Sequence, residues 1–146
     1  MEIELVPRLG ARLPRGGGLL DFGATEEDAR RRLESFGPTQ SSFTCGESWN
    51  WRVRVGDRWV EAGAGADGLL GEIRVVRAIE TGWGEPTGIA VVYRGIDVFA
   101  HTMAEVEFLI GATEPGGSPG LRLIGTAAYA QSATLVDLTR RPTRGI

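Results

Sequence analysis

Few side chains in this chain could do chemistry, and each can be taken in turn. His101 is the single histidine. Asp97 and Glu105 stand four residues to either side of it, and on a continuous helix the three would share one metal-ligating face. Thr102 interrupts that face. Thr102-Met103-Ala104-Glu105 has the hydroxyl-x-x-carboxylate spacing of a capping box, so a helix starts there and Asp97 falls in the preceding strand. His101 is therefore expected at a strand-to-helix junction in a structural or exposed role, with no metal site. A thiol nucleophile would need Cys45 beside an imidazole that lowers its pKa. No spacing brings Cys45 to His101, and Ser42-Phe43-Thr44-Cys45 reads as a strand with the cysteine as a small hydrophobe. The glycine-rich stretches at 15 to 18 and 111 to 120 lack phosphate-cradling spacing, and no lysine exists for a Walker motif. The carboxylates read as solvated surface. No catalytic residue and no cofactor are assigned, and the reading leans away from an enzyme.

Interleaved tryptophan and arginine between residues 49 and 59 form the nearest approach to a recognition surface, since indole faces and guanidinium planes stack on partners. Trp49, Trp51, Val53 and Val55 alternate with Asn50, Arg52 and Arg54, the period of a strand. Gly56-Asp57 then supplies a two-residue turn. That loop length fixes a register: Val55 opposite Arg58, Val53 opposite Val60, Trp51 opposite Ala62 and Trp49 opposite Ala64. One face becomes almost wholly apolar. The other sets Arg52 across from Glu61 and Arg54 across from Trp59, an ion pair and a cation-π pair. Trp49 and Trp51 read as core. Trp59, Arg52 and Arg54 read as partner-binding candidates on the opposite face, joined by Trp83 in a glycine-flanked loop at 80 to 88.

Those residues must be positioned by the surrounding elements. A first strand is expected at 3 to 6 and another at 19 to 22. Thr25-Glu26-Glu27-Asp28 then caps a helix whose stripe is Ala29, Leu33 and Phe36, and Gly37-Pro38 stops it. The hairpin at 49 to 55 and 58 to 64 continues into strands at 69 to 79 and 89 to 93, a four-stranded antiparallel run. A short strand at 96 to 100 leads to the second helix through Val106, Leu109 and Ile110. Strands at 121 to 124 and 133 to 138 close a domain spanning 1 to 138, and 139 to 146 is a loose polar tail. Asp21-Phe22-Gly23-Ala24-Thr25 faintly echoes Asp97-Val98-Phe99-Ala100-His101-Thr102, each leading into a capped helix. The expected class is α+β, about seven or eight short strands in a mainly antiparallel sheet packed with two short helices.

Composition bounds the function classes. A chain of 146 residues with 42% hydrophobic and 24% charged residues can bury one real core and is not disordered. Twenty-two glycines and seven prolines punctuate short strands. The net charge of -3, with acids and bases interleaved, argues against nucleic acid and membrane partners while leaving room for a local basic patch. All 16 basic residues are arginine, which reads as codon bias of a GC-rich genome. One cysteine excludes an internal disulfide, and the acidic start lacks a leader pattern, so a cytoplasmic location is expected. Asp21-Phe22-Gly23-Ala24-Thr25-Glu26-Glu27-Asp28-Ala29 and Tyr93-Arg94-Gly95-Ile96-Asp97-Val98-Phe99-Ala100 resemble segments of small uncharacterised proteins of actinobacteria. That resemblance implies a bacterial source type and carries no activity. The function read from the residues is a non-enzymatic protein-binding module, such as a small cytoplasmic partner or immunity-type protein, with a homodimer left open. The alternative is a small-molecule or carbohydrate binder, or an enzyme, with a tryptophan-lined pocket.

Overall fold

The computed structural model describes residues 1–41, 48–78, 88–113, 120–125 and 128–139. Cys45 and Trp83, and with them the expected strand at 42 to 45, the loop at 80 to 87 and the tail from 140, lie outside the described residues. Among those described, eleven strands and two helices build an α+β fold of two mostly antiparallel sheets.

The first sheet begins with strands β1 (Glu2–Val6), β2 (Gly10–Leu13) and β3 (Gly18–Asp21), joined antiparallel in succession. Strand β2 was not foreseen, because Gly-Ala-Arg-Leu is too short to show a period; Ala11 and Leu13 nonetheless point into the core. Gly10 has φ +137°, and a Cβ there would stand 2.0 Å from the Leu20 carbonyl oxygen, so only glycine lets β2 and β3 approach. On its other side β1 takes β8 (Ala90–Tyr93) in parallel, followed by the two-residue β9 (Ile96–Asp97).

The second sheet has the order β10-β11-β7-β6-β5-β4, with β4 (Gln40–Ser41), β5 (Asn50–Val55), β6 (Arg58–Ala64), β7 (Leu70–Arg77), β10 (Leu121–Ile124) and β11 (Ser132–Val136). The expected four-stranded run is thus corrected at its last member. Residues 90 to 93 do not pair with β7; β11 does, setting Ala133 beside Val75 and Leu135 beside Ile73. Chain proximity favours the nearest apolar strand, but Val91 and Tyr93 find their register against Ile3 and Leu5 of β1 in the other sheet. Strand β9 is also shorter than expected, turning after Asp97 because the Asp97 carboxylate accepts from the Phe99 backbone N–H at 3.1 Å.

Both helices start where their threonines require. Thr25 Oγ1 accepts from the Asp28 N–H at 3.2 Å ahead of α1 (Glu26–Glu34), whose Ala29 and Leu33 are buried. Ahead of α2 (Met103–Thr113) the Thr102 N–H donates to Glu105 Oε1 at 2.9 Å while the Glu105 N–H donates to Thr102 Oγ1 at 3.2 Å, a complete capping box. One cluster of buried side chains draws on both sheets and both helices, with Ile3, Leu20, Leu33, Val60, Ile73, Tyr93, Val106 and Leu135 among its members. No helix among the described residues is long and apolar enough to cross a membrane.

Candidate functional site

The hairpin of β5 and β6 has the register that its two-residue loop dictates: Val55 faces Arg58, Val53 faces Val60, and Trp51 faces Ala62. Gly56 at φ +60° supplies the first position of the turn. Because side chains alternate, the hairpin divides into two faces of different chemistry.

On the inner face Val53 and Val60 are buried, and Trp49 is buried with its Nε1 donating to the Gly68 carbonyl at 2.8 Å. Trp51 is only half-buried. Its ring packs under α1, with Nε1 donating to Glu26 Oε2 at 2.9 Å and the Arg30 guanidinium 4.4 Å from the ring centroid. Helix α1 therefore contacts β5 and β6 from the core side.

On the outer face Trp59 is half-buried beneath two cations, Arg52 at 4.3 Å and Arg54 at 5.7 Å from its ring centroid. Three of the four partner-binding candidates are thus brought together. The expected ion pair between Arg52 and Glu61 is corrected: Glu61 instead accepts two hydrogen bonds from Arg74, from Nε at 3.1 Å and Nη2 at 2.7 Å. Arg74 lies directly opposite Glu61 on β7 and offers a bidentate fork, while the Arg52 guanidinium lies over Trp59 and donates to Gln40 Oε1 at 3.1 Å.

Sheet pairing extends this face beyond the hairpin in two rows that cross the strands. One row runs Arg54, Trp59, Val76, Ser132, Ile124; its neighbour runs Gln40, Arg52, Glu61, Arg74, Thr134, Arg122. Ile124 is 53% exposed and Val76 half-buried, while Glu61, Ser132 and Thr134 in the same two rows are buried; the extensive helix–sheet contacts among the described residues are those of α1. Ile124 escaped sequence reading because its significance depends on which strand pairs with β7. Also missed was Phe108, 77% exposed on α2 beside the partly exposed Leu109. Helix α2 is apolar on nearly every side, and that was its available signal.

The chemically suggestive residues separate. Asp97 Oδ1 accepts from backbone N–H groups of Val91 and Phe99, and Glu105 is engaged in the α2 cap. Hydrogen bonds from the Thr102 backbone and hydroxyl hold the Glu105 carboxyl below its ordinary range. No group of three potential metal-binding side chains occurs among the described residues. A cleft of about 670 Å³ opens between β3 and α1, lined by Gly16, Gly17, Asp28, Arg31 and Arg32, but Arg32 Nη1 is held on the Gly17 carbonyl at 3.0 Å. It contains no tryptophan.

A second arginine arrangement lies inside. Arg58 and Arg77 face each other across β6 and β7, are 1% and 3% exposed, and place their guanidinium groups 4.9 and 4.6 Å from the Phe99 centroid. Arg77 donates to the carbonyls of Ala130 and Phe99 at 2.8 and 2.6 Å; Arg58 donates to Ile89 O at 3.1 Å and Asp57 Oδ2 at 3.3 Å. Burial lowers both guanidinium pKa values, and for Arg77 the neighbouring Arg58 cation lowers it further. Both fasten the sheet to the segments around Ile89, Phe99 and Ala130. The legible signal was their inward register, Arg58 opposite Val55 and Arg77 in step with Ile73 and Val75.

No family model matches the chain, nor does any curated protein or solved structure. The open sheet face is therefore read on its own chemistry.

Proposed function

We propose that this protein is a non-enzymatic protein-binding module that docks its partner on the outer face of the six-stranded sheet. The observation that carries this reading is the row in which the apolar Trp59 and Val76, both half-buried, continue through Ser132 to the exposed Ile124. Tryptophan and arginine are among the residue types enriched at binding hot spots, because each combines large contact area with directional polar contacts. A ring held beneath two guanidinium groups is already ordered, which lowers the entropy lost on docking. The assignments of His101, Asp97 and Glu105 to a helix junction and its cap favour binding over catalysis. A small cytoplasmic partner or immunity-type inhibitor would use such a surface.

The test is comparative capture from native lysate by the wild-type protein and by a Trp59→Ala, Ile124→Asp variant, with thermal melts establishing that the variant folds. A partner retained by wild type and lost by the folded variant is expected. Equal recovery by both would refute the surface.

A further inference from the structure

We infer that the partner of this face is an acidic protein segment whose apolar side chains lie along Trp59, Val76 and Ile124 and whose carboxylates lie along Arg52, Arg74 and Arg122. The inference rests on the binding reading above and adds the chemistry of the partner. Among the described residues, four arginines, Arg52, Arg54, Arg74 and Arg122, share the outer face with two carboxylates, Glu61 and Glu72, a formal balance of +2. The whole chain, by contrast, carries -3. A local positive field on an acidic protein orients an acidic partner toward this side and repels it from the others.

The cations differ in how far they are neutralised. Arg74 is matched by Glu61. Among the described residues Arg52 has Gln40 and the Trp59 ring and no carboxylate, and Arg122, exposed on β10, has no hydrogen bond or ion pair. These two lie in one row, four strand spacings or roughly 19 Å apart. A helical segment of about 13 residues spans that distance. The apolar row lies two residues along each strand, roughly 7 Å away, the separation between the apolar stripe and the flank of an amphipathic segment.

Nucleic acid is the competing anion, and the geometry disfavours it. Arg52 and Arg54 occupy the neighbourhood of the Trp59 ring on which a base would stack, and Glu61 and Glu72 interrupt the face where a phosphate backbone would run.

The experiment selects random twelve-residue peptides from a display library on the immobilised full chain, then measures the labelled consensus peptide by fluorescence anisotropy. Expected is a consensus combining Asp or Glu with apolar residues. Its affinity should fall at least about tenfold in an Arg52→Glu, Arg122→Glu variant and fall again as salt is raised. Competition by a dT20 oligonucleotide is run in parallel. A neutral or basic consensus that still requires Trp59 would overturn the acidic partner and leave the binding surface standing. A consensus bound equally well by Trp59→Ala would overturn both. Displacement by dT20 that is lost in the charge-reversed variant would assign the face to nucleic acid, and failure to enrich any peptide would count against the inference.

Discussion

Replacing Arg77 by methionine keeps most of the side-chain length and removes every donor. The Ala130 and Phe99 carbonyls, on residues 0% and 1% exposed, then lose the donors that reach them at 2.8 and 2.6 Å. Each orphaned buried carbonyl costs about 1 to 3 kcal/mol. The stack on Phe99 is lost as well, while methionine has no charge to desolvate and relieves the repulsion from Arg58, which offsets part of the loss. A net destabilisation of about 3 kcal/mol follows, a large fraction of the roughly 5 to 15 kcal/mol available to a domain. At about 2 to 4 °C per kcal/mol for this chain length, Tm should fall by about 6 to 12 °C. Thermal and urea unfolding followed by circular dichroism measure it. The control is Arg12→Met, which breaks an exposed pair with Glu4 at 3.4 Å and should change stability by less than about 1 kcal/mol. If Arg77→Met lies within about 1 kcal/mol of wild type, the two carbonyls find other donors and the fastening role assigned to this arginine is wrong.

Three further outcomes are expected. Thr25→Ala and Thr102→Ala should each cost about 0.5 to 2 kcal/mol in urea unfolding, with serine at either position restoring most of it. Glu105→Gln should destabilise at pH 7 and not at low pH: a carboxyl held below its ordinary range stabilises the fold above that range and ceases to as pH falls through its folded value, so melts of the two proteins should converge as pH is lowered below the ordinary carboxylate range. Gly10→Ala should destabilise by more than the roughly 1 kcal/mol of a strain-free glycine replacement, because its Cβ would meet the Leu20 carbonyl; an unchanged urea midpoint would contradict the geometry of the first sheet.

What could be read from the residues was what short-range physics determines. The hairpin was legible because a period of two, a two-residue turn and a loop-fixed register agree, and the caps because Thr25 and Thr102 precede acids at three-residue spacing. The contact of Arg54 with Trp59 followed from the same register, whereas Arg52 over Trp59 did not, since the register set Arg52 across from Glu61. Partner choice between distant strands was not legible. Val91 and Tyr93 suit any apolar neighbour, so their pairing with β1 instead of β7 depends on the whole core. Ile124 acquired meaning only through that topology. Arg58 and Arg77 were passed over for another reason: an arginine at an inward position reads as an exception until the carbonyls it binds, on Phe99, Ala130 and Ile89, are brought to it by remote segments.

The parallel seam between β1 and β8 bears on how the chain folds as it is made. Glu2 pairs with Ala90 and Leu5 with Tyr93, so one edge of β1 finds its partner only after some ninety residues have been synthesised. At about 5 to 20 residues per second that interval lasts about 4 to 18 s, long compared with the microseconds in which the β1–β2 hairpin can close. During it, that edge of β1, with Ile3 and Leu5, has no native strand to meet. The β5–β6–β7 meander is less delayed, since these strands pair with their neighbours in sequence, although the second sheet itself is completed only when β10 and β11 have been made. Topology thus lets the meander that carries Trp59 pair before the strand that closes the open edge of β1 has been made.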